Sequence, residues 1–311
     1  MGLFTNKKKL CPICGNPTPR LFPTEIEGQP ICKECKNEID LPSGATDNMT
    51  LDDFRQYLAD FKENHALWPV FHTTHRYSFG FDAVLLDEDN GLIRLKDNGG
   101  WVIEKKYLKS FRIFEDDNPL FESGDGALKC YLSDVPNRVN ALVPVISQFY
   151  LQKQEYERQE QREAALRRGK ETDEERRERE SISHMYRPRF TAPDLFNGFR
   201  VEITFDHPYW TSFENTVNAP TFDDAYPDAD KYMKYYLEQT DELHALAAKL
   251  MHMIDPAAGE SWTGVGASAA AQASAAPVDA VTEIKKYKEL LDQGLLTEEE
   301  FTAKKRQLLG I

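Results

Sequence analysis

Four cysteines near the start of this chain constrain its fold more than any other feature. They fall as Cys11-Pro12-Ile13-Cys14 and Cys32-Lys33-Glu34-Cys35, a C-x2-C-x17-C-x2-C pattern. Two residues between thiolates let one tight turn present both sulfurs to the same ion, and two such turns complete a tetrahedral shell. Gly15 follows the first pair and can take the positive φ that such turns often need. Pro17, Pro19, Pro23 and Gly28 make the intervening segment turn-rich, and Pro30 leads into the second pair. A redox C-x-x-C is expected alone beside a βαβ pattern, whereas here there are two pairs in a short, proline-rich stretch. Four thiolates leave no open coordination position, so the expected cofactor is one structural zinc ion held by Cys11, Cys14, Cys32 and Cys35. Cys130 stands apart, with no histidine near it in sequence. It is expected to be a small, partly buried residue, although a distant histidine could approach it in space.

A metal reading of the cysteines requires reduced thiols, so the compartment matters. The opening Met1-Gly2-Leu3-Phe4-Thr5-Asn6 lacks the apolar stretch of a signal peptide. It also carries Asn6 where a myristoylation pattern has Ser or Thr. Purely apolar runs are short, Ala83-Val84-Leu85-Leu86 being typical, while a membrane-spanning helix needs roughly 20 predominantly apolar residues. The chain is therefore expected to be cytoplasmic, with no transmembrane segment and no disulfide framework.

Charge is distributed unevenly. The 311 residues carry 38 Lys plus Arg and 52 Asp plus Glu, a net −14. That balance excludes the whole chain as a nonspecific binder of nucleic acid or anionic lipid. The first 36 residues differ, with six basic residues against three glutamates and a net +3. Residues 283–311 are balanced, six against six, which leaves −17 on the middle of the chain. Lys7, Lys8 and Lys9 are thus the candidate nucleic-acid contacts. No row of aromatic residues accompanies them for base stacking. Solvated lysines that partly neutralise a doubly negative zinc–tetrathiolate centre are the favoured reading.

Punctuation and periodicity divide the chain into a four-cysteine module at 1–45, a connecting helix at 46–68 and a β-rich domain at 69–254. A flexible linker at 255–280 and a helical hairpin at 281–311 follow. Thr50 is placed as the N-cap of the connecting helix, with Asp52 and Asp53 in its first turn and Leu51, Phe54, Leu58 and Phe61 on one face. Alternation begins near Tyr77. Ala83–Leu86 and Leu92–Leu95 flank Asn90-Gly91, which is a hairpin signature. Trp101–Ile103 and Phe111–Phe114 add strands, and residues 117–145 give a poor signal. From about 147 to 182 a run of mixed Glu and Arg predicts a solvated helical insertion held by i,i+4 pairs. Phe199–Phe205 alternates strictly, and Thr211–Val217 can pair back. Asp228–Ile254 predicts a helix with Tyr232, Tyr235, Tyr236, Leu243, Leu246, Leu250 and Ile254 as its packing stripe.

The expected fold is α+β and multidomain. About six or seven antiparallel strands closed by one amphipathic helix match a pleckstrin-homology-like architecture, which by itself names no function. The Ala-, Ser- and Gly-rich stretch around Gly264-Val265-Gly266 is a linker, not a phosphate loop, since no strand precedes it and no Lys follows. In the last segment Ile284, Tyr287, Leu290 and Leu291 line one helix, Gly294 stops it, and Thr297–Glu300 caps a second helix carrying Phe301, Leu308 and Leu309. A unit this small rarely has a sufficient core alone. Ile284, Tyr287, Leu290, Leu291, Leu295, Phe301, Leu308 and Leu309 are therefore the candidate docking residues for a protein partner or a second copy.

Two segments resemble known families. The terminal residues Ile284, Lys285, Leu290, Leu291, Gly294, Leu295, Leu296, Thr297, Glu299, Glu300, Phe301, Lys304, Lys305 and Leu308 resemble the SHOCT (short C-terminal) domain. The two cysteine pairs with the capped helix resemble the DUF4428-type zinc ribbon of bacterial proteins. Together these resemblances imply a bacterial or prophage origin and a role in oligomerisation or interaction, and they supply no catalytic residues.

Nothing in the sequence points to catalysis. No G-x-S-x-G, H-E-x-x-H or phosphate-loop pattern occurs. His72 and His75, if on a strand, point to opposite faces and suit a shared metal poorly. His244 and His252 are expected as surface or partly buried tips of one helix. The expected function is a non-enzymatic adaptor or scaffold with a structural zinc. Nucleic-acid binding by the zinc ribbon is the alternative, and peripheral lipid contact by the pleckstrin-like domain is a second one.

Overall fold

The computed structural model describes residues 5–263 other than 81, 98 and 168–171, and the side chains among these other than those of 5–8, 180 and 182–186. The hairpin expected at 281–311 with its eight candidate docking residues, and the expected linker from 264 onward, lie outside the described residues. Residues 1–261 form one compact unit.

The N-terminal module is two small hairpins and a short helix. Strands β1 (Thr5–Leu10) and β2 (Pro17–Pro19) pair antiparallel, as do β3 (Glu25–Ile26) and β4 (Gln29–Pro30). Glu27 and Gly28 both take positive φ in the tight turn between the last two. Helix α1 (Lys33–Asn37) follows. Helix α2 (Leu51–Asn64) opens with a reciprocal capping box: the Thr50 hydroxyl accepts from the Asp53 amide at 3.1 Å, and the Asp53 carboxylate accepts from the Thr50 amide at 3.0 Å. Its buried face is Phe54, Tyr57 and Phe61, so Tyr57 takes the place expected of Leu58, which is only partly buried.

Two sheets follow, antiparallel in every strand pair whose register is described. The first runs β5 (His75–Phe79), β6 (Asp82–Asp87), β7 (Leu92–Arg94) and β8 (Ile103–Glu104) in chain order. The expected hairpin joins β6 to β7 with Asp87 opposite Leu92. Its turn is held by the fully buried Asp87, whose carboxylate accepts from the Asn90 amide at 3.0 Å and the His72 amide at 2.8 Å. Burial pushes that carboxyl up, but the amide hydrogen bonds outweigh it and leave the pKa below the usual value.

The second sheet holds β9 (Leu108–Glu115), β10 (Asn118–Ser123), β11 (Ala127–Tyr131), β12 (Gly198–Phe205), β13 (Ser212–Asn218) and β14 (Gly259–Thr263). Their order across the sheet is β13-β12-β9-β10-β11-β14. β12 buries every second residue, Phe199, Val201, Ile203 and Phe205, as its alternation requires. Six or seven strands were expected in the central region. The described residues hold four in one sheet and six in the other. The additional strands are β10 and β11, in the stretch with little periodicity, and β14, whose Gly-Glu-Ser-Trp-Thr sequence is exposed throughout and was assigned to the linker.

Three further helices complete the unit. Helix α3 (Val135–Arg167) begins well before the charged run. Its buried residues Val135, Val139, Leu142, Ile146, Phe149 and Lys153 recur at alternating steps of four and three, one seam of a packed helix. The Lys153 ammonium donates to the Ala225 carbonyl at 2.8 Å and lies over the Tyr226 ring. Tyr150 donates to the Pro227 carbonyl at 3.0 Å. Beyond Lys153 nearly every residue is exposed. The helix therefore has a docked base and a solvated extension, so the insertion expected at about 147–182 begins inside a packed helix. Helix α4 (Asp173–Tyr186) starts from a second capping box, Thr172 with Glu175. Helix α5 (Ala229–Ile254), N-capped by Asp228, buries Tyr232, Tyr236, Leu243, Leu246 and Leu250 against the six-stranded sheet. Tyr235, expected in that stripe, is 47% exposed because it lies at the stripe's edge, about 100° around the helix from Tyr236.

Candidate metal centre

The four N-terminal cysteines converge. Sγ of Cys14 lies 3.3 Å from that of Cys32 and 3.6 Å from that of Cys35, and Sγ of Cys11 lies 3.9 Å from that of Cys35. All four sulfurs fall within 4.8 Å of one another. A zinc ion about 2.3 Å from each sulfur sets them roughly 3.8 Å apart in a tetrahedron. The observed separations reach that geometry with shifts of a few tenths of an ångström. They are far longer than a disulfide bond of about 2.05 Å, and all four cysteines are free.

Local folding explains the convergence. In the first knuckle the Cys11 amide donates to the Asn16 carbonyl at 2.8 Å, and the Gly15 amide donates to the Cys11 carbonyl at 2.9 Å. Gly15 has φ of +74°, so any other residue there would be strained. The second pair departs from the expected tight turn. Cys32 is the N-cap of α1, its sulfur accepts from the Cys35 amide at 3.5 Å, and Cys35 sits in the first helical turn. The helical step brings both sulfurs to one side.

The thiols are electrostatically strained against ionising together. Burial, joined by neighbouring cysteines, pushes Cys35 far above the ordinary thiol value, and burial lifts Cys32 to about 11. Burial also acts on Cys11, but hydrogen bonds from the Cys32, Cys14 and Ile13 backbone outweigh it and bring that thiol down to about 7. Four thiolates this close need a cation among them. The donor set therefore fits zinc, with Cys11, Cys14, Cys32 and Cys35 as its ligands and a structural cross-link as the chemistry it supplies. A closed four-sulfur shell leaves no position for substrate.

The centre is built into the rest of the unit. Cys11, Cys32 and Cys35 share one continuous apolar core with Ile26, Ile31, Phe54, Tyr57 and Trp101. Asp40 is the principal polar weld. Its carboxylate accepts from the Trp101 amide at 2.7 Å and pairs with the Lys96 ammonium. Its carbonyl accepts from the Trp210 indole at 3.0 Å. Its amide donates to the Tyr57 hydroxyl at 2.7 Å, which in turn donates to the Glu38 carbonyl at 2.8 Å. Gly100, with φ of +85°, lies so close that a Cβ there would stand 2.8 Å from the Asp40 carboxylate. Sequence reasoning missed this hub because its partners are spread over 170 positions with no shared local pattern.

Of the lysines considered for nucleic acid, Lys9 is exposed on β1, and the side chains of Lys7 and Lys8 lie outside the described residues. Cys130 is on β11, away from this set, and fully buried where only partial burial was expected. His75 pairs with Glu88 at 2.7 Å, and His72 is exposed. No described helix is long and apolar enough to cross a membrane.

The model of the short C-terminal domain family (SHOCT) matches residues 282–309. No curated protein and no solved structure matches the chain.

Proposed function

We propose that this protein is a non-enzymatic adaptor or scaffold. A zinc-stabilised, sheet-rich body carries a C-terminal segment that docks on a protein partner or on a second copy. The observation that carries this reading is the match of residues 282–309 to a short C-terminal domain, preceded by an Ala-, Ser- and Gly-rich stretch. Such a stretch sets the reach of a tethered docking segment. The closed metal shell supports a structural rather than a catalytic use of the metal. Four-cysteine ligation and the DUF4428-type resemblance support a reduced, cytoplasmic and bacterial setting. Removing residues 281–311 is expected to lower the oligomer mass measured by light scattering, or to abolish capture of a partner from host extract. An unchanged mass together with an unchanged partner set refutes the reading.

A second reading has one supporting observation, the net +3 of the first 36 residues in an otherwise acidic chain. It assigns nucleic-acid contact to Lys7, Lys8 and Lys9 and expects salt-sensitive binding that is lost when these are neutralised. Two sheets followed by a long helix also support a pleckstrin-like reading of the middle. Its −17 charge weighs against anionic lipid, and liposome flotation decides that point.

A further inference from the structure

Away from the four-cysteine centre, three potential ligands from distant parts of the chain meet at the edge of the six-stranded sheet. Cys130 lies on β11, His244 on α5 and Glu260 on β14. One ligand atom from each lies within 4.8 Å of the other two. His244 Nε2 stands 3.1 Å from Glu260 Oε1. The Cys130 thiol is fully buried and points its S–H at the Leu128 carbonyl, 3.9 Å away. The Phe121 ring packs against the imidazole with centroids 5.2 Å apart, which fixes its plane.

We propose that Cys130, His244 and Glu260 form a second metal site, for one zinc-like divalent cation. Thiolate and imidazole select borderline ions such as Zn2+ and Co2+ over Mg2+ or Ca2+, which take oxygen ligands. Zinc holds sulfur at about 2.3 Å and nitrogen or oxygen at about 2.0–2.2 Å. Those radii place tetrahedral N and O ligands roughly 3.4 Å apart, close to the observed His244–Glu260 separation. The side chains of His244 and Glu260 are 31% and 43% exposed, but the His244 Nε2 atom is itself buried, and the thiol closes the inner side. Three protein ligands leave a fourth position for water. Binding breaks the Cys130 S–H bond and forms an S–metal bond, and the proton passes to solvent. A nucleophilic Cys–His–acid relay is the competing use of these residue types. It places thiol and carboxylate on opposite ring nitrogens, whereas here a single ring nitrogen lies within reach of both. The ion would tie the edge strand β14 to β11 and α5.

The test is metal stoichiometry of the purified full-length protein after saturation with zinc and removal of free ion. Two zinc ions per chain are expected in the wild type, and one in Cys130→Ser and in His244→Gln. Cobalt loading adds a readout of ligand type. The thiolate-to-cobalt band scales with the number of bound sulfurs and should fall by about one fifth in Cys130→Ser, five thiolates becoming four. If circular dichroism shows that a core variant is misfolded, Glu260→Gln on the exposed edge strand carries the test by lowering the affinity for the second ion. A wild-type count of one, with the four-thiolate cobalt band intact, overturns the second site and leaves the first standing. A second ion that persists unchanged in Cys130→Ser and Glu260→Gln also overturns it. A count of zero removes both sites.

Discussion

Replacing Asp40 by alanine should destabilise the whole unit, not only the metal module. The substitution keeps the main-chain bonds from Trp210 and to Tyr57 and removes the carboxylate. The Trp101 amide, now donating at 2.7 Å in a residue 6% exposed, loses a charged acceptor. A hydrogen bond to a charged group contributes about 1.5–3 kcal/mol, and a stranded buried donor stays at the upper end of that range. Lys96 is 44% exposed and rehydrates, so its ion pair adds well under 1 kcal/mol. The sum is about 3 kcal/mol. At about 2–4 °C per kcal/mol for a domain of this size, the melting temperature should fall by roughly 6–12 °C. Asp40→Asn retains an acceptor oxygen without the charge and should lose about half as much. Calorimetry at saturating zinc measures both variants, and elemental analysis should find the zinc content unchanged, since no ligand is touched. A single shifted transition is expected, because the cysteines and the sheet residues share one core. A loss below about 1 kcal/mol in Asp40→Ala, or a separate low-temperature transition for the metal module alone, would refute the reasoning.

Two other perturbations test the packing. His207 is buried among Trp101, Tyr107 and Tyr209, and its Nδ1 accepts from the Tyr209 and Trp210 amides, each at 3.2 Å. Burial lowers its pKa from 6.5 to about 4 against a smaller opposing pull from Glu104. Between those values the unfolded chain binds the extra proton, so this contribution is fully present above about pH 6.5 and is lost as pH falls toward 4. It amounts to about 3 kcal/mol. Urea midpoints measured from pH 7 to 4.5 should flatten in His207→Gln, and an identical slope in both proteins would reject the assignment. On α3, Ile146→Ala, in a residue 7% exposed, should lose about 2–4 kcal/mol, while Leu166→Ala, in one 75% exposed, should change stability by less than about 0.5 kcal/mol. Equal effects would mean that the base of the helix is not docked.

Local rules made some of this fold readable. The Thr50 cap, the Asn90-Gly91 turn and the alternation of Phe199–Phe205 each carry their signal within a few residues and each forms the element it implies, and the cysteine spacing brings four sulfurs together although the second pair does so from a helix start. The base of α3 was hidden by its prolines. Pro136 sits in the first turn, where its missing amide costs nothing, and Pro144 is borne within the helix on its exposed side, opposite the buried Val139, Leu142, Ile146 and Phe149. β14 was unreadable because an exposed edge strand buries no face to impose a period. The Asp40 hub, through Lys96, Trp101 and Trp210, and the meeting of Cys130 with His244 and Glu260 join residues more than 50 positions apart, which no window of local sequence contains.

The reach of the Asp40 weld also fixes an order of events during synthesis. All four clustered cysteines have been made once residue 35 is added. The indole that closes over Asp40 belongs to a residue 170 positions further on. At about 5–20 residues per second, roughly ten to thirty seconds separate those two points. Throughout that interval the module still lacks the Trp210 indole that packs over Asp40. The four-cysteine cluster is thus complete well before the sheets that share its core are made.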